Sequence, residues 1–368
     1  MSALLSRLAE PDKNAPEIRA FEKKPSDEKK PTEKKSLTEI FNKFAADAVM
    51  HFPHLKGQLL VIDMNEMRVH GNATIDTAKT GLTEESALDY VGNHPITKEM
   101  QKDRSMSSLA TRDPKKNVNM VYINDSVPAA ERNNVSKETE QHLLFVLDHE
   151  LAHCALKDGF AMASSPRDYK ILLAESVADA YALIRHYQRY GTDGASSNKY
   201  VSPSARADNF ILWGDSTHFT SFVLDAIAKR KDQIDFDKLT SEQTADLARR
   251  FALEYMPPQR MVEDIGRDFA NIRAAFRKNP SEGVKMLIDK TLDPQADYYT
   301  FKFGSLWAKA FLDGKFPDGG DVKLPKAYLD DAATNLAVRE AEFDKQGVLF
   351  NIPQKKPQPP QTAFGLAA

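Results

Sequence analysis

One cysteine in 368 residues, Cys154, leaves this chain unable to form an intrachain disulfide. That fits a reducing compartment and excludes a fold stapled by cystine bridges. An excess of positive charge is also missing. Fifty Lys and Arg stand against 53 Asp and Glu, for a formal net charge of -3, so no nucleic acid is expected as a partner. No window approaches the roughly 18 consecutive apolar residues of a membrane span, and Met1 to Glu10 lacks the apolar segment of a secretory signal. The expectation is a cytoplasmic protein with no membrane partner, and with specialised secretion left open. Internal repeats, glycine-rich phosphate loops and cysteine metal knuckles are absent too.

What is present is uneven along the chain. Pro11 to Lys35 is mostly Lys, Glu, Asp and Pro, with Ile18 and Phe21 almost its only large apolar groups. Burial there cannot offset the entropy of ordering, so residues 1–35 are expected to form a disordered charged arm. Residues 351–368, with Lys355-Lys356 inside Pro353 to Pro360, read as a Pro-rich tail. Between them the pattern predicts an α+β fold: residues 36–160 as a lobe with a small sheet, and residues 161–350 as a mostly helical lobe.

The first lobe opens on a capping box, Ser36-Leu37-Thr38-Glu39, ahead of Ile40, Phe41, Phe44, Ala45 and Val49 at helical spacing, with Pro53 as the stop. Gln58 to Met64 and Met67 to Thr74 read as a hairpin across Asn65-Glu66, with His70 structural. Thr80 to Met100 carries helical signal, Asp103 to Lys116 reads as loop, and Asn117 to Asn124 as a strand. In the second lobe, Thr240 to Arg277 and Ser281 to Leu312 are helical, broken at Pro257-Pro258 and Asn279-Pro280. A last helix covers Asp330 to Lys345, closed by Gly347.

Chemistry concentrates in Leu147-Asp148-His149-Glu150-Leu151-Ala152-His153-Cys154. Ser136 caps this helix, Glu138 and Glu140 suit its first turn, and it is expected to run to about Asp158. Leu143, Leu144, Val146, Leu147, Leu151, Ala152 and Ala155 make it apolar on nearly every side, the pattern of a central helix. On it, His149 and His153 at i and i+4 present two imidazoles at a separation that one Zn²⁺ accepts. Glu150 stands beside them, able to take a proton from water that the metal has made acidic. Cys154, by contrast, reads as a small buried hydrophobe facing away from the metal.

A zinc site needs a third protein ligand. Gly159 reads as a C-terminal cap and Ser165-Pro166-Arg167-Asp168 as the start of a second, antiparallel helix. Glu175 then lies roughly 13 Å into that helix, while His149 and His153 lie about 14 and 8 Å back from the end of the first, so the depths match. Asp179 follows at i+4, and Ala174, Ala178 and Ala182 form a small-residue strip for close approach. His142 lies about 10 Å along its helix from His149, and His186 about 16 Å from Glu175, and both read as outside the ligand set.

His149-Glu150-x-x-His153 followed by Glu175-x-x-x-Asp179 resembles the gluzincin group of zinc metallopeptidases, the thermolysin-like architecture, over about 35 residues. The metzincin pattern is not met, because Gly159 stands where it requires histidine. The resemblance implies a zincin-like lobe, with His149, His153 and Glu175 as metal ligands, Glu150 as general base, and Asp179 fixing a ligand imidazole's tautomer. It further implies that His218, supported by Asp215, hydrogen-bonds the tetrahedral intermediate. Asp215-Ser216-Thr217 reads equally well as the cap of a helix from Phe219 to Lys229. In that architecture the strand before the motif helix is an edge on which an extended peptide can pair; an ordinary sheet strand is the alternative. The expected function is zinc-dependent hydrolysis of a peptide or protein substrate. A non-catalytic interaction or regulatory protein on a zincin scaffold, and a hydrolase of another bond, stand as alternatives. The oligomeric state is not fixed by the sequence.

Overall fold

Ser36 caps the first helix in both directions: its hydroxyl accepts from the Glu39 backbone, and Glu39 accepts from the Ser36 backbone at 2.7 Å. Helix α1 (Leu37–His51) follows and buries Ile40, Phe41, Phe44 and Ala48. The computed structural model describes residues 35–56, 58–64, 90–102, 108–113, 115, 117–124, 127, 130–156, 167–195, 203, 206, 218–312 and 322–345. The expected arm apart from Lys35, the Pro-rich tail, the second hairpin strand with His70, Gly159 and Asp215 all lie outside the described residues. The described residues form one compact unit.

The fold is α+β and mostly helical, with one small sheet. Strands β1 (Leu59–Asp63), β2 (Ser108–Asp113) and β3 (Val118–Ile123) take the order β1-β3-β2, with β1 parallel and β2 antiparallel to β3. One expectation is corrected here and one open choice is decided. Asp103 to Lys116 is not all loop, because β2 pairs along its length with β3. Of the two readings of the strand before the motif helix, the ordinary sheet strand holds: β3 is central among the described residues, with β1 and β2 at the two edges. All six β3 residues are buried, whereas β2 is largely half-buried and needs little apolar content. One sheet face sends Leu59, Val61, Val121 and Ile123 toward the main core. The other packs Leu60, Ile62, Met120 and Tyr122 against Val91 and Met100 near helix α2 (Pro95–Lys102).

Helix α3 (Lys137–Ala155) crosses β2 and β3, capped by Ser136, and it ends sooner than the sequence suggested. Helix α4 (Arg167–Ala195) is its principal partner, broken at Gly191, whose φ of 71° suits glycine. Beyond it come α5 (Ser221–Lys229), α6 (Ser241–Tyr255), α7 (Gln259–Lys278), α8 (Pro280–Leu292), α9 (Tyr298–Leu312) and α10 (Lys326–Lys345). The breaks fall at Pro257-Pro258 and Asn279-Pro280, where the Asn279 side chain accepts from the Ser281 and Glu282 backbones. Phe269 meets Phe303 edge-to-face at 5.0 Å, and Trp307 is fully buried, so this half is held by aromatic packing. No helix among the described residues is long and apolar enough to cross a membrane.

Candidate metal centre

The α3–α4 pair is where buried polar groups collect. Asp148, His149 and Glu150 are buried on α3, and Ser176 and Asp179 on α4. Such groups must be paired or they destabilise the fold. Asp148 is paired by Arg189 of α4 through both guanidinium nitrogens, the longer contact being 2.9 Å. This fork crosses the helix interface one residue before His149.

Three imidazoles converge on one carboxylate oxygen. Nε2 of His149, His218 and His153 lie 3.0, 3.2 and 3.3 Å from Glu175 Oε2. The Nε2 atoms of His149 and His153 are 3.1 Å apart. His218 precedes α5 and is the most exposed of the three rings, at 29% against 22% for His153 and 6% for His149. The group therefore opens toward solvent on the His153 and His218 side.

Behind the ligand face, His149 Nδ1 stands 2.8 Å from Asp179 Oδ1. A carboxylate can only accept, so Nδ1 carries a proton, and it is Nε2 that faces the cluster, with a lone pair to offer when the ring is neutral. Asp179 is fully buried and fully engaged. Arg206 donates to it at 2.7 and 2.5 Å, and the Thr220 hydroxyl donates at 2.5 Å. Thr220 also hydrogen-bonds its own amide to the His218 carbonyl at 2.7 Å, linking that residue to the same carboxylate. Helix α5 begins at Ser221, two residues later than expected; the expected cap Asp215-Ser216-Thr217 lies outside the described residues, and Thr220 makes no capping bond because its hydroxyl goes to Asp179.

These contacts set the charges. Burial pushes the Asp179 carboxyl up, but Arg206 and His149 outweigh it and hold it well below the usual range. Burial likewise opposes ionisation of Glu175, and the three imidazoles overcome it. For His149, burial disfavours a charged ring, yet Asp179, Glu175 and Glu150 push it up to about 10. The cluster calls for positive charge.

The donor set fits a divalent cation. His149 Nε2, His153 Nε2 and Glu175 Oε2 face one another at contacts that repel unless a proton or a metal cation stands between them. Glu175 Oε2 is buried and accepts no hydrogen bond of ordinary geometry from the rings around it. With zinc bonds of about 2.0 to 2.1 Å, ligand atoms of a tetrahedral site stand about 3.3 Å apart, close to the separations seen here. Glu150, Glu175 and Asp179 carry three negative charges against one on Arg206, leaving two for a dication when the imidazoles are neutral. His149, Glu175 and His218 form a group able to hold a metal.

Of the residues singled out from sequence, His149, His153, Glu175, Asp179 and His218 are brought together, and Glu150 is buried beside His149. His186 is not: it is buried against Tyr190, with a ring separation of 5.0 Å. Arg206 and Thr220 were missed. The available signal was indirect, since a carboxylate buried behind a ligand needs donors. No protein family, curated protein or solved structure matches this chain.

Proposed function

We propose that this chain is a zinc-dependent peptidase with His149, His153 and Glu175 as the metal ligands and Glu150 as the general base. The observation that carries it is the convergence of the His149 and His153 Nε2 atoms on Glu175 Oε2 within 3.3 Å, with Glu150 next to His149. Zinc held there would supply a Lewis acid that polarises a carbonyl and makes water acidic near neutral pH. Glu150 takes the proton from the attacking water on a carboxylate oxygen and passes it to the leaving amine. Asp179 keeps the His149 ring in the tautomer that presents Nε2. His218, on the solvent side, donates a hydrogen bond where oxyanion charge develops.

A second reading rests on the 3.2 Å between His218 Nε2 and Glu175 Oε2. His218 as a fourth protein ligand would close the site and favour a structural metal in an interaction protein. Peptide-library digestion followed by mass spectrometry, with zinc content measured in parallel, separates the two. The peptidase reading expects Glu150→Gln to keep zinc and lose at least about a hundredfold in turnover. It expects His218→Ala to keep zinc and cleave more slowly. Wild type that never cleaves, together with His218→Ala that sheds zinc, would establish the closed site instead.

A further inference from the structure

A second polar site lies on the α1 side of the α3–α4 pair, at a cavity of about 380 Å³. That is the size of a small-ligand pocket. Its charged lining comprises Lys35, Lys43 and Asp47, Glu140, and Arg185 and Arg189 of α4. Three of these charges already have a counterpart: Lys35 pairs with Glu140 at 2.7 Å, and Arg189 is committed to Asp148.

Arg185 is the buried charge of this lining that no carboxylate answers. It is 7% exposed, and among the described residues its only hydrogen bond goes to the neutral side-chain oxygen of Gln188 at 2.6 Å, its Nε has no partner and no carboxylate lies within ion-pair distance. Its field reaches His51, which burial first and Arg185 second push down to about 4. A buried guanidinium without an anion is strongly disfavoured, and a rigid fork of donors opening on a cavity is the geometry that binds an oxyanion in two-pronged fashion.

We infer that this cavity is a binding site for a small oxyanion, a carboxylate or phosphate group of a free metabolite-sized molecule, held by Arg185 with Lys43 at its mouth. The site is separate from the imidazole cluster and uses none of its residues.

Isothermal titration of the full chain with succinate and with inorganic phosphate, at fixed ionic strength, tests this. Saturable one-to-one binding of at least one probe is expected in wild type, lost in Arg185→Met and weakened several-fold in Lys43→Met. The stronger probe names the source of the oxyanion. Because Arg185→Met removes an uncompensated buried charge, its melting temperature without ligand is expected to equal or exceed that of wild type. Lys43 is exposed, so its variant tests the site even if the Arg185 variant folds poorly. Absence of saturable binding in wild type, or equal binding in wild type and Lys43→Met together with Arg185→Met, overturns the assignment.

Discussion

His149 gives its Nδ1 to Asp179 at 2.8 Å, and this single contact decides which nitrogen faces the cluster. Everything that holds Asp179 therefore bears on metal affinity. Asp179→Asn replaces the carboxylate that fixes the tautomer by an uncharged amide that can also turn its NH2 toward the ring, and it removes the charge that Arg206 pairs with. Zinc affinity is expected to fall about 10- to 100-fold, read by competition with a chromogenic chelator. Thr220→Val, which deletes one donor to Asp179, is expected to weaken zinc less and to keep the fold. Unchanged affinity in both variants would remove Asp179 from the account.

The Asp148–Arg189 fork predicts a stability effect independent of any metal. Asp148 is 1% exposed, and Asp148→Ala strands a guanidinium that burial has enclosed. The expected loss is about 3 to 5 kcal/mol in chemical denaturation. The double variant Asp148→Leu/Arg189→Met, which removes both charges, is expected to recover much of it. A single variant as stable as wild type would mean that the fork does not clamp α3 to α4.

His186 predicts the acid limit of the helical core. It is 1% exposed, neither ring nitrogen has a hydrogen-bond partner, and burial, then Arg189, push it down from 6.5 to about 4. In that interval the unfolded chain binds a proton that the folded chain refuses, so stability rises with pH. The contribution is whole above pH 6.5 and is lost as pH falls toward about 4, on the order of 3 kcal/mol. His186→Leu is expected to flatten the stability profile between those limits, measured by urea denaturation across pH. An unaltered slope contradicts the prediction.

Gly283 predicts a close helix crossing. A Cβ there would stand 2.4 Å from the Phe276 Cα, a backbone atom that cannot move aside. Gly283→Ala should therefore destabilise by about 1 to 3 kcal/mol, with Gly92→Ala, where nothing lies within 4 Å, as the neutral comparison.

How much of this was legible depended on periodicity. His149 and His153, and Glu175 and Asp179, are i and i+4 pairs on two helices whose ends are marked by caps and Pro, so helix geometry alone placed them at matching depth. The capping box at Ser36 and the breaks at Pro257 and Asn279 were legible for the same local reason. Strand β2 was not, because Leu109 and Ala110 are its only apolar residues and an edge strand needs few. Nor were Arg206 and Thr220, whose bonds to Asp179 span 27 and 41 residues.

The most direct test of the central claim is the zinc content of purified wild type beside His153→Ala and Glu175→Ala, without added metal. The account predicts about one zinc per chain in wild type and its loss in both variants, with the fold retained by circular dichroism. Wild type that holds no zinc even after zinc is added back would contradict it.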